Sequence, residues 1–245
     1  LYNLQKKHMA STVAELMEIS EELAKKVSVS ENADEAISEV EKKISSQQES
    51  LRKMASQLHE SRKSIIPKFI KESEGILADL GMPNATLKIE LQPQNEFFPN
   101  GHDKMNWLLS ANKGGSYNDI KKAASGGELS RIMLAVKSIL ATYSNLPTII
   151  FDEIDTGVSG DIAQKMATIL QKMGKMMQVI AITHLPQIAG KGDTHFKIYK
   201  EDAVNSTITN IRKLEDDDRV EELAMMLGGK NISESAVAHA KALLN

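Results

Sequence analysis

The sequence predicts an α/β domain entered by a long coiled-coil arm. Three observations carry this reading: apolar residues spaced by seven in the first stretch, alternation of apolar and polar residues after Pro83, and a continuous apolar run, Thr148 to Phe151, that follows an amphipathic helix.

In the first stretch Leu16, Leu23, Ile37, Ile44, Leu51, Leu58 and Ile65 hold one heptad position, with Ser30 as its gap. Three residues later Ile19, Ala33, Val40 and Met54 form a second register, interrupted by Lys26, Gln47 and Ser61. Glu, Lys, Ser and Gln fill the positions between, which marks a narrow seam rather than the broad face of a globular helix. Val27 to Asp34 has low helix propensity and offers Ser30 or Asn32 as a new N-cap, so a bend or break is expected there. Pro67 should stop or kink the helix after Ile66, with Phe69, Ile70, Ile76, Leu77 and Leu80 on a further helix ending at Gly81. If helical throughout, residues 1–66 reach about 100 Å at 1.5 Å per residue. The expected division is an arm over 1–66 and a lobe over 67–245.

Leu87, Ile89 and Leu91, then Met105, Trp107 and Leu109, read as strands, separated by a Pro-, Asn- and Gly-rich loop from Pro93 to Asp103. Lys113 to Ser116 is a turn. A helix is expected from Ser125 through Leu140, then the strand Thr148 to Phe151, a helix over Asp161 to Met173 and a strand over Val179 to Ile182. Strands near His195 to Tyr199 and Thr207 to Arg212 precede two final helices, the first stopped by Gly228-Gly229 and the second capped by Ser233.

Composition narrows the function classes. The 245 residues are 41% hydrophobic, enough for a real core, while aromatics are only 4% and charged residues 26%, as long solvated helices require. No apolar run reaches the roughly 18 residues that span a membrane. The absence of cysteine excludes disulfides and thiolate metal sites, and fits a cytoplasmic setting. A net charge of −3 gives no global nucleic-acid footprint. Local basic patches are available at Arg62, Lys63, Lys68 and Lys71, and at Lys121 and Lys122.

Chemistry concentrates in three motifs. Ala124-Ser125-Gly126-Gly127-Glu128 opens a helix with a hydroxyl, two unhindered backbone N–H groups and the positive end of a helix dipole, which suits a terminal phosphate. Asp152 and Glu153 end an apolar strand, where α/β sheets place their ligands. Asp152 is placed to hold Mg²⁺ and Glu153 to orient or deprotonate a water. Asp155 lies in the turn that follows. His184 ends the next strand, within reach of a γ-phosphate. Taken singly, each has a plain structural reading: a Ser N-cap, a loop carboxylate, a loop histidine. No Gly-x-x-x-x-Gly-Lys-Ser/Thr phosphate loop occurs, so these motifs amount to half of an ATP site and the chain is expected to be part of a longer protein.

In this order and spacing the motifs resemble the signature motif, Walker B strand, D-loop and switch histidine of the C-terminal lobe of an ATP-binding-cassette (ABC) ATPase head. Ala124 to Arg131, Phe151 to Gly160, Thr183 to Ala189 and Arg219 to Gly229 resemble, more narrowly, the RecN family of bacterial double-strand-break repair ATPases, relatives of the structural-maintenance-of-chromosomes (SMC) proteins. The resemblance covers residues 65–245, and the heptads fit the descending arm of that family's antiparallel coiled coil. It implies ATP and Mg²⁺ as cofactors, an N-terminal ATPase lobe lying outside this chain, and a second protomer that sandwiches ATP between heads. In such a sandwich Ser125, Gly126, Gly127 and Glu128 serve nucleotide on the opposite protomer. Asp152 as metal ligand, with Glu153 and His184 as catalytic groups, serves the protomer's own nucleotide, and Asp155 couples the two sites. The resemblance also implies DNA as a partner and a nucleoid-associated, cytoplasmic location, with no membrane. A transporter-type ABC subunit and a non-catalytic coiled-coil dimerisation module are the competing readings. The sixty-odd residues of heptads speak against the first, and the presence of both Glu153 and His184 against the second. On this account the chain is inactive alone.

Overall fold

The computed structural model describes residues 1–203, 206–229 and 231–244, leaving aside the side chains of residues 32, 203 and 206. It comprises two compact units, Leu1–Arg62 with Pro93–Asp103, and Lys63–Gln92 with Lys104–Asn245.

In the first unit a short helix, α1 (Tyr2–His8), stops at Met9, whose φ of 53° is left-handed. The arm is therefore not helical from its first residue. The chain restarts under a cap, the Glu15 N–H donating to the Thr12 hydroxyl at 3.2 Å. Helix α2 (Val13–Asp79) then runs for 67 residues. It passes through Val27 to Asp34 without the expected break, because propensity differences of a few tenths of a kcal/mol per residue do not outweigh the cost of nucleating a new helix. Ser30 is mid-helix; a capping side chain at Asn32 lies outside the described residues. Pro67 does not stop the helix either. It removes one N–H from the ladder, a cost of about 3 kcal/mol, and the turns beyond it recover burial through Ile70, Ile76 and Leu77. Along the seam Leu23, Ile37, Ile44, Leu51 and Leu58 all remain exposed.

Residues 93–103 form the tip of a hairpin rather than the expected loop. Strand β1 (Thr86–Phe98) and strand β2 (Gly101–Ser110) extend into it and turn at Pro99-Asn100. Pro93 is tolerated because β1 is the edge of a three-stranded sheet, where a missing N–H breaks no central ladder.

Helix α2 ends in a Schellman motif. Met82 N–H donates to Leu77 O at 2.8 Å and Gly81 N–H to Ala78 O at 3.2 Å, with Gly81 at φ 80°. A Cβ on Gly81 would also lie 2.5 Å from Ile162 Cδ1, a side-chain end that can turn aside, so it is the positive φ that requires glycine there. The two-residue strand β3 (Asn118–Asp119) pairs antiparallel with β2 and leads into α3 (Ile120–Ala123), a turn of helix absent from the sequence reading.

The α/β centre consists of α4 (Gly126–Ala141), β4 (Thr148–Asp152), α5 (Gly160–Gly174), β5 (Gln178–Ile182) and the short α6 (Pro186–Gly190). Strands β4 and β5 pair in parallel from Thr148↔Gln178 to Asp152↔Ile182. Helix α4 joins two cores: Leu134 and Ala141 pack with Phe151 and the Ala163, Met166, Leu170 stripe of α5, while Ile132 and Ala135 pack with Leu77, Leu87 and Leu109. The β4 strand is not buried on both faces as its apolar run predicts. Phe151 is buried, but Ile150 is 63% exposed, and Ile180 and Ile182 on β5 are also exposed. One face is covered by the chain's own helices and the other is bare.

An antiparallel hairpin, β6 (His195–Ala203) and β7 (Ser206–Leu214), follows, then α7 (Asp216–Gly228) and α8 (Glu234–Leu244). Gly229 ends α7 at φ 73°, and the Ser233 hydroxyl accepts from Ala236 N–H at 3.2 Å, as their sequence positions predict. Phe196, Ile198 and Ile211 leave one face of the hairpin exposed.

Candidate functional site

The parallel register of β4 and β5 sets two motifs side by side. Asp152 pairs with Ile182, and Glu153 N–H donates to Ile182 O at 3.1 Å, so the Asp-Glu pair adjoins Thr183-His184. Asp152, Glu153 and His184 are all exposed at this end of the sheet. Glu153 has φ 47°, a left-handed conformation unusual for a residue with a Cβ. Holding it there costs on the order of 1 kcal/mol. The turn is secured by Thr156, whose hydroxyl donates to Glu153 O at 2.9 Å.

Asp155 faces inward and is fully buried. Its Oδ2 accepts from the Thr183 hydroxyl and, at 3.3 Å, from His184 N–H, with His184 Nδ1 3.7 Å away. Thr183 Oγ1 in turn accepts from Leu185 N–H at 3.0 Å. One carboxylate thus fastens the turn after β4 to the turn after β5. Its other oxygen, Oδ1, is buried without a hydrogen-bond partner among the described residues.

The third motif meets the same turn. A Cβ built on Gly127 would lie 2.9 Å from Thr156 O, so only glycine lets the start of α4 approach the turn after β4 this closely. Gly126 has nothing within 4 Å of such a Cβ and lies open. Ser125 is the N-cap of α4 and forms a full capping box. The Glu128 carboxylate accepts from Ser125 N–H and from its hydroxyl, both at 2.8 Å, while Ser125 Oγ accepts from Glu128 N–H at 3.4 Å. The backbone and hydroxyl donors of Ser125 hold the Glu128 carboxyl below its ordinary range, aided by nearby Arg131 and opposed by partial burial. The Ser-x-x-Glu spacing was a readable sign of this box.

All three motifs therefore meet at one end of the sheet: an open helix N-terminus at Ser125-Gly126, an exposed carboxylate pair at Asp152-Glu153, of which Glu153 is left-handed, and an exposed imidazole at His184. The donor set fits a magnesium nucleotide, with exposed carboxylates for a hard cation and backbone N–H groups for phosphate. Of the basic residues singled out in the sequence, Arg62 is occupied, donating to Asp103 Oδ2 at 2.9 Å and to Asn100 O at 2.5 Å, whereas Lys121 and Lys122 are exposed on α3. No helix among the described residues is long and apolar enough to cross a membrane.

No family model matches the chain. Curated relatives do. It is 40% identical over 188 residues to the DNA repair protein RecN of Vibrio cholerae, covering 76% of this chain and 34% of that one. It is 42% identical over 185 residues to RecN of Rickettsia felis, covering 75% and 34%. It is 38% identical over 188 residues to RecN of Halalkalibacterium halodurans, covering 75% and 33%. The chain thus spans about a third of the length of these relatives. Among solved structures, the Smc head domain with a coiled coil and joint from Pyrococcus yayanosii matches with a TM-score of 0.55 at 16% identity, covering 94% of this chain and 43% of that one. The Smc head domain with an extended coiled coil from Pyrococcus furiosus matches at 0.50 and 18%, covering 90% and 50%. The fold is that of an SMC head lobe with a coiled-coil arm, and over about three quarters of its length the chain is similar in sequence to the RecN relatives.

Proposed function

We propose that this chain is the C-terminal portion of a DNA repair ATPase, with an arm over residues 1–66 and a lobe over 67–245 that supplies half of a composite ATP site. The meeting of the three motifs at one end of the sheet is the observation that carries this reading. In it, the N-terminal lobe of the same protein brings the phosphate loop, and the bare face around Ile150, Ile180 and Ile182 is where it packs. A second protomer closes the site in trans.

Bound Mg-ATP supplies the phosphoanhydride bond to be broken and a cation that neutralises its charge. Asp152 holds that cation at the strand end. Glu153, held by its turn, orients and deprotonates the attacking water, and His184 lies against the γ-phosphate. Gly126 and Gly127 present N–H groups and the helix dipole to nucleotide on the opposite protomer, beside Ser125, whose N–H and hydroxyl Glu128 holds in place at the helix start. Asp155, bonded to Thr183 and His184, transmits movement of one turn to the other. Hydrolysis then releases the head contact, so turnover gates association with DNA in the cytoplasm, at the nucleoid. The RecN relatives and the heptads favour this over a transporter cassette, and an intact carboxylate and histidine favour it over a passive dimerisation module.

Glu153→Gln in the complete protein tests the assignment. ATP binding should persist while steady-state hydrolysis falls by about 100-fold or more, the usual worth of a general base. Hydrolysis at the wild-type rate would remove Glu153 from the mechanism.

A further inference from the structure

We propose that His59, His102 and Asp103, all within the first unit, form a binding site for one divalent transition-metal ion, Zn²⁺ by its ligand chemistry. His59 lies on α2, and the other two begin β2 at the hairpin tip. His59 Nδ1 is 2.6 Å from Asp103 Oδ1, and His102 Nε2 is 3.8 Å from the same oxygen. One ligand atom from each residue falls within 4.8 Å of the others. Three ligands on a tetrahedral Zn²⁺ with bonds of about 2.0–2.1 Å sit about 3.3 Å apart. The separations here bracket that value, so small side-chain rotations complete the set.

Ordinary packing accounts for only part of the cluster. A hydrogen bond from His59 and the Arg62 pair at 2.9 Å would satisfy Asp103, whose side chain is 1% exposed. His102 is left over. It is 17% exposed, its ring centroid lies 6.2 Å from that of His59, and its Nε2 faces Oδ1 from beyond hydrogen-bond distance. Two imidazoles converging on one carboxylate oxygen is a ligand arrangement. Arg62 takes the opposite oxygen, Oδ2, and so fixes the carboxylate plane, as outer partners do at metal sites.

The chemistry selects the ion. Two imidazole nitrogens and one carboxylate suit Zn²⁺ or a neighbouring transition metal, whereas Mg²⁺ and Ca²⁺ prefer oxygen alone. Binding exchanges the His59 Nδ1–H···Oδ1 hydrogen bond for two bonds to the metal, and the imidazole proton moves to Nε2 with no net change. Water fills the fourth position from the exposed side. The ion would clamp the hairpin tip to the arm helix across 44 residues of sequence, and this site is separate from the proposed Mg-ATP residues.

Calorimetric titration of the chelator-stripped 245-residue chain with Zn²⁺, paired with the visible spectrum of the Co²⁺ form, tests this. One site of micromolar affinity is expected, with four-coordinate Co²⁺ absorption and a raised Tm. His59→Ala and His102→Ala should each weaken binding by more than about 100-fold, beyond what loss of an outer partner costs, while His184→Ala leaves it unchanged. His102→Gln replaces the alanine variant if that one does not fold. No binding at high micromolar Zn²⁺, full binding retained in the His102 variants, or loss of binding in His184→Ala would each overturn the site.

Discussion

The arm and the lobe solve the problem of burying apolar surface in opposite ways. In the lobe, Leu134 on α4 is fully buried among Phe151, Met166 and Leu170, all from the same chain. In the arm, Ile37 occupies a heptad position yet is 55% exposed, like its neighbours along the seam. A helix of this length is cooperative enough to persist, but its apolar seam is written for a surface these residues do not supply. The bare face of β4 and β5 repeats the lesson inside the lobe, with Ile150 outward and Phe151 inward. Under the proposed function, these exposed apolar faces are where the N-terminal lobe and the partner arm pack.

Truncation in the two regions should separate them most widely. Leu134→Ala is expected to destabilise the chain by about 3–5 kcal/mol in chemical denaturation, and Ile37→Ala by less than about 1 kcal/mol. An arm substitution as costly as the core one would mean that the seam is already packed. Within the site, the two adjacent glycines sharpen the same contrast. Gly127→Ala forces a Cβ against Thr156 O and should cost about 1–3 kcal/mol. Gly126→Ala should leave stability within about 0.5 kcal/mol, so that any loss of ATPase in the complete protein reports on ligand or partner rather than folding. Equal destabilisation of the two would refute this division.

The smallest effect belongs to the capping box. Glu128→Ala should cost about 1 kcal/mol at neutral pH. The Glu128 carboxyl titrates lower in the folded chain than in the unfolded one, so its stabilisation is complete above the ordinary Glu pKa of about 4.3 and is lost as pH falls from there through the lower folded value. Wild type and variant should therefore converge in denaturation midpoint on acidification, and a constant gap would contradict the link to ionised Glu128.

Much of this was legible in the residues. The heptads, the Ser125 cap, the apolar runs of β4 and β5 and the order of the three motifs are local patterns, and local patterns survive in a linear text. What escaped was decided by tertiary context. Low propensity at Val27 to Asp34 and a proline at position 67 were overruled by helix cooperativity and by burial of Ile70 and Leu77. The tip at residues 93–103 carries loop composition but pairs as strand because β1 is an edge. The inward turn of Asp155, the left-handed Glu153 and the contact of Gly127 with Thr156 depend on neighbours 28 or more residues away, or on backbone angles that no spacing encodes.

The central claim is that this lobe holds half of an ATP site. Calorimetric titration of Mg-ATP into the 245-residue chain, beside the complete protein, tests it most directly. The account predicts micromolar binding by the complete protein and none by the chain alone. Micromolar binding by the chain alone would contradict it.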